Sequence, residues 1–434
     1  NPENAETYYR MVLDADALHE KAFLALERLY TGTQRWTDLR ALIEMRLDVL
    51  TDATSQKEML LKLSLLNENI LEDFNAAIVA YRQLRQLEPG SQEAFVALVR
   101  LFEKLQDWAS LADLYQEELA YVRQTEQRIL LLVQRADLLM HQLQRAEDAV
   151  GLLQEVVASN PSHIAARHML EETLAQPETR QISADILLNL HERENNHEAV
   201  VKLLDVKLET AVSPEESVGI LSRQGKLFTV QLVQPEKAFE AWRRAIRIEP
   251  GNAEVRNALE ELVDIVGNRE QLVEVWQEAI QSAGDDVELR MLYIEKIAVL
   301  YERDLGNPEK AVEWYRHLLA ASTEYEEIQA RATTRLIQLL SVMDEWIDVI
   351  DLYRRQLNWL QDARERKSVY RKIASLQEDM LDALQEAADT YHRMLEEFPG
   401  DEDALDRLES IYSRLENWAK LVDVLQQRAE LTQE

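Results

Sequence analysis

Residues 235–251 read PEKAFEAWRRAIRIEPG, and this stretch decides the fold. Pro235, Ala238, Phe239, Trp242, Ala245 and Ile246 fall three and four apart, the spacing of one helix face. Proline is tolerated in the first turn, where its missing N–H would have no partner anyway. Pro250-Gly251 then stops the helix: the residue before proline avoids helical geometry, and glycine takes the turn. The same stop recurs at Pro89-Gly90, at Pro399-Gly400 and as Pro161 in Asn160-Pro161-Ser162, each time fifteen residues after a helix start.

Outward from Pro235 the motif recurs along the chain: a small or branched residue three places after an anchor, a bulky one seven after. The twelve anchors are Pro2, Trp36, Phe74, Trp108, Ala146, Asn196, Pro235, Arg269, Pro308, Trp346, Leu384 and Trp418. The intervals are 34, 38, 34, 38, 50, 39, 34, 39, 38, 38 and 34 residues. Such self-similarity marks a stacked array of helical hairpins. A partner helix precedes each next anchor, as in Ala94, Leu98, Leu101, Phe102 and Leu105 before Trp108. No stretch shows the two-residue alternation of a strand, so the expected fold is all-α. Four extra residues are close to one turn of 3.6, so a helix can lengthen while keeping its buried face. Trp36 to Trp108, Phe74 to Ala146 and Trp346 to Trp418 each span 72 residues, which makes the building block a short and a long repeat together.

These residues resemble the tetratricopeptide repeat (TPR) family. Its first small position is matched by Ala5, Ala77, Ala149, Ala199, Ala238, Ala311 and Ala387. The bulky position holds Tyr9, Tyr81, Leu153, Leu203, Trp242, Tyr315 and Tyr391, and the first-helix Leu/Tyr pair is matched by Leu26 with Tyr30 and Leu408 with Tyr412. The family's glycine after that leucine is replaced by Glu27, Val99, Glu260 and Glu409, so the repeats are divergent. The resemblance implies a TPR-like α-solenoid, a right-handed superhelix of stacked antiparallel helix pairs with about 23 helices. Expected organisation is repeats over 1–161, an irregular helical junction over 162–195 and repeats again over 196–434. The junction holds Pro177 and an excess of 16 residues over the 34-residue interval.

The formal charge is −32, and of the successive fifty-residue blocks only 201–250, with Arg243, Arg244 and Arg247, is not negative. Nucleic-acid binding needs a basic footprint, so no nucleic-acid partner is expected. The acid excess solubilises a long exposed array and also steers a basic partner toward it. No run approaches the ~18 apolar residues of a membrane span, so no insertion is expected. The chain has no cysteine, which removes disulfides and thiolate chemistry but fits cytoplasm, periplasm or cell surface, with the cytoplasm slightly favoured. Asn1 is not an initiator methionine and the first element is already a repeat, so a longer array is expected, with any targeting signal outside these residues.

Candidate chemistry fails on spacing. His191-Glu192 is followed by Asn195 where a metalloprotease helix needs histidine. His163 and His168, five apart, point to different faces. Neighbouring carboxylates such as Glu117 and Glu118 diverge by about 100° on a helix. No catalytic, cofactor or metal residues are expected, and the chain reads as non-enzymatic. Trp36, Trp108, Trp346 and Trp418 are expected to pack between hairpins, whereas Trp359 lies outside the pattern as a candidate exposed anchor.

The reading is a protein–protein interaction scaffold that binds a protein segment, peptide or helix, along the groove or edges of the array. The alternative is a substrate-recruiting arm of a larger enzyme whose catalytic domain lies elsewhere. Stacking between copies is a further expectation. The family's groove positions, carried onto this chain, are Lys21, Arg28, Arg100, Gln134, Arg135, Asn257, Arg335 and Arg407, with Glu93, Val96, Glu261 and Asp406 beside them. A guanidinium there can grip a partner carboxylate through two bonds.

Overall fold

The computed structural model describes residues 2–431, and among them it is built of 24 α-helices with no strand. Asn1 and residues 432–434 lie outside the described residues. The chain divides into two compact units, Asn1–Thr210 and Ala211–Glu434. The first holds α1 (Pro2–Ala15), α2 (Glu20–Gly32), α3 (Trp36–Val49), α4 (Ala53–Asn69), α5 (Phe74–Leu87), α6 (Gln92–Leu105), α7 (Trp108–Glu118), α8 (Thr125–Asp137), α9 (Ala146–Ser159), α10 (Ile164–Thr173), α11 (Pro177–Arg193) and α12 (His197–Thr210). The second holds α13 (Pro214–Lys226), α14 (Pro235–Ile248), α15 (Ala253–Val266), α16 (Arg269–Ser282), α17 (Val287–Val299), α18 (Pro308–Ala321), α19 (Glu326–Val342), α20 (Trp346–Gln356), α21 (Ala363–Asp379), α22 (Leu384–Glu397), α23 (Glu402–Arg414) and α24 (Trp418–Leu431). Within each unit consecutive helices pack on one another, the arrangement of a repeat array.

Eleven of the twelve anchors are the first residue of a helix. The residue three further on is sealed at 0% exposure in Ala77, Ala149, Ala238, Ala311 and Ala387. The bulky side chains beyond them, Tyr81, Leu153, Trp242, Tyr315 and Tyr391, are buried too. Full burial of one large apolar side chain contributes about 1.5–3 kcal/mol, so in these five hairpins the pattern marks residues that contribute substantially to stability.

The exception is Asn196. Its helix begins one residue later, at His197, and the most deeply buried positions are Val200 and Leu204, each 1% exposed, whereas Ala199 is only half-buried and Leu203 is 6% exposed. The turn shows why. Two residues before each helix that carries the motif, from the second onward, the backbone is left-handed: Gln34, Glu72, Gln106, Gln144, Asn195, Val233, Gly267, Gly306, Asp344, Asp382 and Glu416. Asn195 fits that rule only if His197 is the start. The intervals around it become 51 and 38, so each pair-closing interval is 38 except for one of 39. Nine of these eleven residues are not glycine, and Val233, β-branched, is the most strained among them.

The turns alternate in kind. The N–H groups of Arg35, Asp107, Asn196, Glu345 and Asn417 reach back five residues to a helix carbonyl, closing a Schellman cap. Those of Asp73, Arg145, Gln234, Asn307 and Ala383 reach back six. In three of the latter the preceding helix ends in a single wide turn, at Leu138–Gln142, Leu227–Gln231 and Leu300–Asp304. The paired-repeat rhythm is thus written into the caps. Where the interval between anchors is 38, the helix before the later anchor is longer by about one turn, as the four extra residues require: α4 has 17 residues, α2 has 13.

The segment 162–195 falls within the first unit. Pro177 does not kink a helix; it opens α11 at the first position, and α10 is the helix added to the expected 23. The corner is tied by hydroxyls at 0% exposure: Thr179 donates to the Thr173 carbonyl at 2.8 Å, and Thr173 pairs with Ser183 at 2.8 Å. A buried corner with every hydroxyl paired avoids the penalty of stranded polar groups.

Candidate interaction surface

The predicted surface residues lie on the helices preceding the anchors: Lys21 and Arg28 on α2, Arg100 on α6, Gln134 and Arg135 on α8, Asn257 on α15, Arg335 on α19 and Arg407 on α23. Lys21, Arg28, Gln134, Asn257 and Arg407 are exposed, and their side chains have no hydrogen-bond or ion-pair partner among the described residues. Arg100, Arg135 and Arg335 are different, because the fold uses them.

Arg100 belongs to a recurring latch. Glu68, buried at the end of α4, accepts the Tyr81 hydroxyl at 3.0 Å and Arg100 Nε at 3.0 Å. Glu302 accepts the Tyr315 hydroxyl at 2.7 Å and lies 3.7 Å from Arg335. Glu378, buried beside Tyr391, accepts Arg414 at 2.6 Å. Burial, aided by the neighbouring carboxylate, pushes the Tyr81 and Tyr315 hydroxyls well above the usual tyrosine range. Each latch joins two paired helices to a third, so Arg100 and Arg335 fasten the array rather than wait for a partner. Arg135 donates to Gln116 while its Nε is buried without a partner, and burial lowers its pKa. Arg414, 36 residues from its carboxylate, carries no signal in the local pattern.

Two of the three clustered arginines of the basic block are likewise absorbed. Arg243 and Arg247 both clamp Glu278, at 2.6 and 2.7 Å, and hold its carboxyl down to about 2. The histidines do structural work: His19 and His163 cap helices by accepting the Ala22 and Ala166 N–H groups, each at 3.2 Å. No group of three or more His, Cys, Asp or Glu residues is placed to hold a metal among the described residues. No helix of the described residues is long and apolar enough to cross a membrane. Trp36, Trp108 and Trp346 are half-buried against their hairpins, but Trp418 is 61% exposed. Trp359 is half-buried and lines a 540 Å³ cavity with Arg316, Thr333, Asp348 and Arg355, so it is not a free anchor.

One cavity sits among the predicted positions. Its volume is 330 Å³, and Trp242, Leu262, Ala258, Thr229, Val230 and Ile265 line it, with Lys226, Glu254, Asn257 and Glu261 also contributing. Lys226 and Glu254 pair at 2.7 Å, while Glu261 has no ion partner among the described residues.

Residues 404–434, covering most of α23 and all of α24, match the family model of the tetratricopeptide repeat. No curated protein matches the chain. Among solved structures, the chain is similar to one from a structure of Naa15/Naa10 bound to HypK-THB, with 15% identity, a TM-score of 0.29, and 97% of this chain and 60% of that chain covered. It thus spans 60% of that chain's length. It is also similar to the TPR domain of P58(IPK), with 16% identity, a TM-score of 0.21, and 83% of this chain and 98% of that chain covered. Residues 404–434 thus match the tetratricopeptide repeat, and the recurring hairpin and the helix order of the described residues are those of an all-α helical-repeat array. Proteins of this type generally mediate protein–protein interactions.

Proposed function

We propose that the chain is a non-enzymatic scaffold that binds a polar, charge-mixed protein segment along the helices that precede the anchors. The observation that supports it is the division of labour among the eight surface residues. Three are spent on the fold, whereas Lys21, Arg28, Gln134, Asn257 and Arg407 project into solvent unpaired. Within each unit, helices that present unused donors offer contacts for a partner's carboxylates and backbone carbonyls, and the overall acidity steers the partner's basic stretches.

The test is pull-down with crosslinking, comparing the wild-type chain with Lys21→Glu, Arg28→Glu and Arg407→Glu together. Capture of the partner should fall by about tenfold or more, the effect of losing one good charged contact, with an unchanged melting temperature. Undiminished capture rejects this surface. Arg100→Glu is the contrast, since it strikes the latch and lowers the melting temperature itself.

A further inference from the structure

Five helix pairs share the cap that reaches back six residues, and they can be superposed by register. Six residues before the anchor stand Glu68, Met140, Thr229, Glu302 and Glu378; seven after it stand Tyr81, Leu153, Trp242, Tyr315 and Tyr391. Glutamate occurs only opposite tyrosine, and in those three pairs a guanidinium from a following helix closes over the carboxylate. The α13/α14 pair departs from this at every position. Trp242 has no hydroxyl to offer. Thr229 replaces the carboxylate and turns its own hydroxyl back to the Gly225 carbonyl at 2.8 Å. At the register of Arg100, eight residues before the next anchor, stands Glu261. Arg335 and Arg414 stand eleven and four before their next anchors, where this pair has Ala258 and Ile265, so no arginine closes it, and here a 330 Å³ cavity lined in part by Trp242 opens.

We propose that this opening receives an arginine side chain from a basic protein segment, supplying in trans the guanidinium that Arg100, Arg335 and Arg414 supply in cis. The proposal rests on the protein-binding reading and places one contact of it. The aliphatic stem of the arginine lies against Trp242 and Ala258, and its planar head suits an indole face as well as a carboxylate. Glu261 provides the charge, with Glu254 beside it once Lys226 is displaced. Val230 and Ile265, 67% and 66% exposed, flank the mouth and receive an apolar neighbour of the arginine. A chain of net charge −32 draws such a segment in and repels an acidic one.

The experiment uses the full chain and the labelled peptide acetyl-Ala-Leu-Arg-Leu-Ala-amide, with fluorescence anisotropy as readout. A citrulline version of the peptide has the same shape without the charge. Thr229→Glu combined with Glu261→Arg rebuilds the latch and fills the opening; Glu261→Gln leaves the space and removes only the charge. Saturable binding of the arginine peptide is expected, about tenfold weaker for citrulline and for Glu261→Gln, as for one lost charged contact, and lost in the rebuilt latch. Absent binding, equal binding of both peptides, or binding that survives the rebuilt latch and Glu261→Gln alike overturns the assignment. The broader reading fails separately, through partner capture that is indifferent to Lys21, Arg28 and Arg407.

Discussion

Gly225 shows how little room separates paired helices. A methyl group there would lie 2.4 Å from Trp242 Cε2 and Nε1, well inside contact distance. The equivalent positions in the other four pairs whose caps reach back six residues, ten before the anchor, hold Ser64, Ala136, Ala298 and Ala374, opposite Tyr81, Leu153, Tyr315 and Tyr391. Glycine thus occurs opposite tryptophan, and a slightly larger residue occurs opposite each smaller partner. That correlation is steric and can be tested inside the same molecule. Gly225→Ala should cost about 1–3 kcal/mol, the usual penalty for overfilling a packed site. Adding Trp242→Tyr reproduces the Ala298–Tyr315 pairing and should recover most of the loss in urea denaturation. If the double variant is no more stable than Gly225→Ala alone, the packing account is wrong. The interval pattern shows none of this, because glycine, alanine and serine all read as small.

At the scale of the element, the latches couple a local motif to a contact more than thirty residues away. The Tyr81 and Tyr315 hydroxyls are buried and hydrogen-bonded to carboxylates, which holds them neutral far above pH 10. In the unfolded chain tyrosine ionises near pH 10. The folded pKa is the higher, so the latch contribution is complete below pH 10 and is lost as pH rises beyond it. Stability measured from pH 8 to 11 should therefore drop, and Tyr81→Phe with Tyr315→Phe should lower the starting value while flattening the slope. An unchanged slope in that variant would reject the latch as the titrating element. Helix starts were legible at eleven of twelve anchors because proline, tryptophan and the small residue three later leave a strong periodic mark. Position 196 slipped because Ala199/Leu203 and Val200/Leu204 satisfy the same apolar pattern. What separates them is the left-handed Asn195 and the Asn196 N–H reaching the His191 carbonyl, a backbone fact without a hydrophobic signature. The surface was less legible: helical register finds exposed arginines but is blind to a buried glutamate 32 residues away that has already claimed Arg100.

Over the whole molecule, a repeat array has no single centre whose loss brings down the rest. Arg85 on α5 and Glu118 on α7 form a pair at 2.9 Å, both almost fully buried, and the guanidinium lies 5.6 Å from the Phe95 ring on α6. One side chain thus ties three successive helices. Removing the carboxylate by Glu118→Ala strands a buried cation, which costs about 3–5 kcal/mol, far more than the pair contributes relative to apolar neighbours. In a globular core such a loss would spread to every element, but here each hairpin meets only its neighbours, so damage should decay along the chain. Hydrogen exchange tests this directly. In Glu118→Ala, amides of α5, α6 and α7 should lose protection in proportion to the destabilisation, while those of α1 and α2, in the same unit, keep most of theirs. A uniform fall across all these helices would mean that the unit opens as one cooperative body, and nearest-neighbour stacking would not then describe its stability. Graded loss instead leaves distant helices of the same unit folded when one contact surface yields.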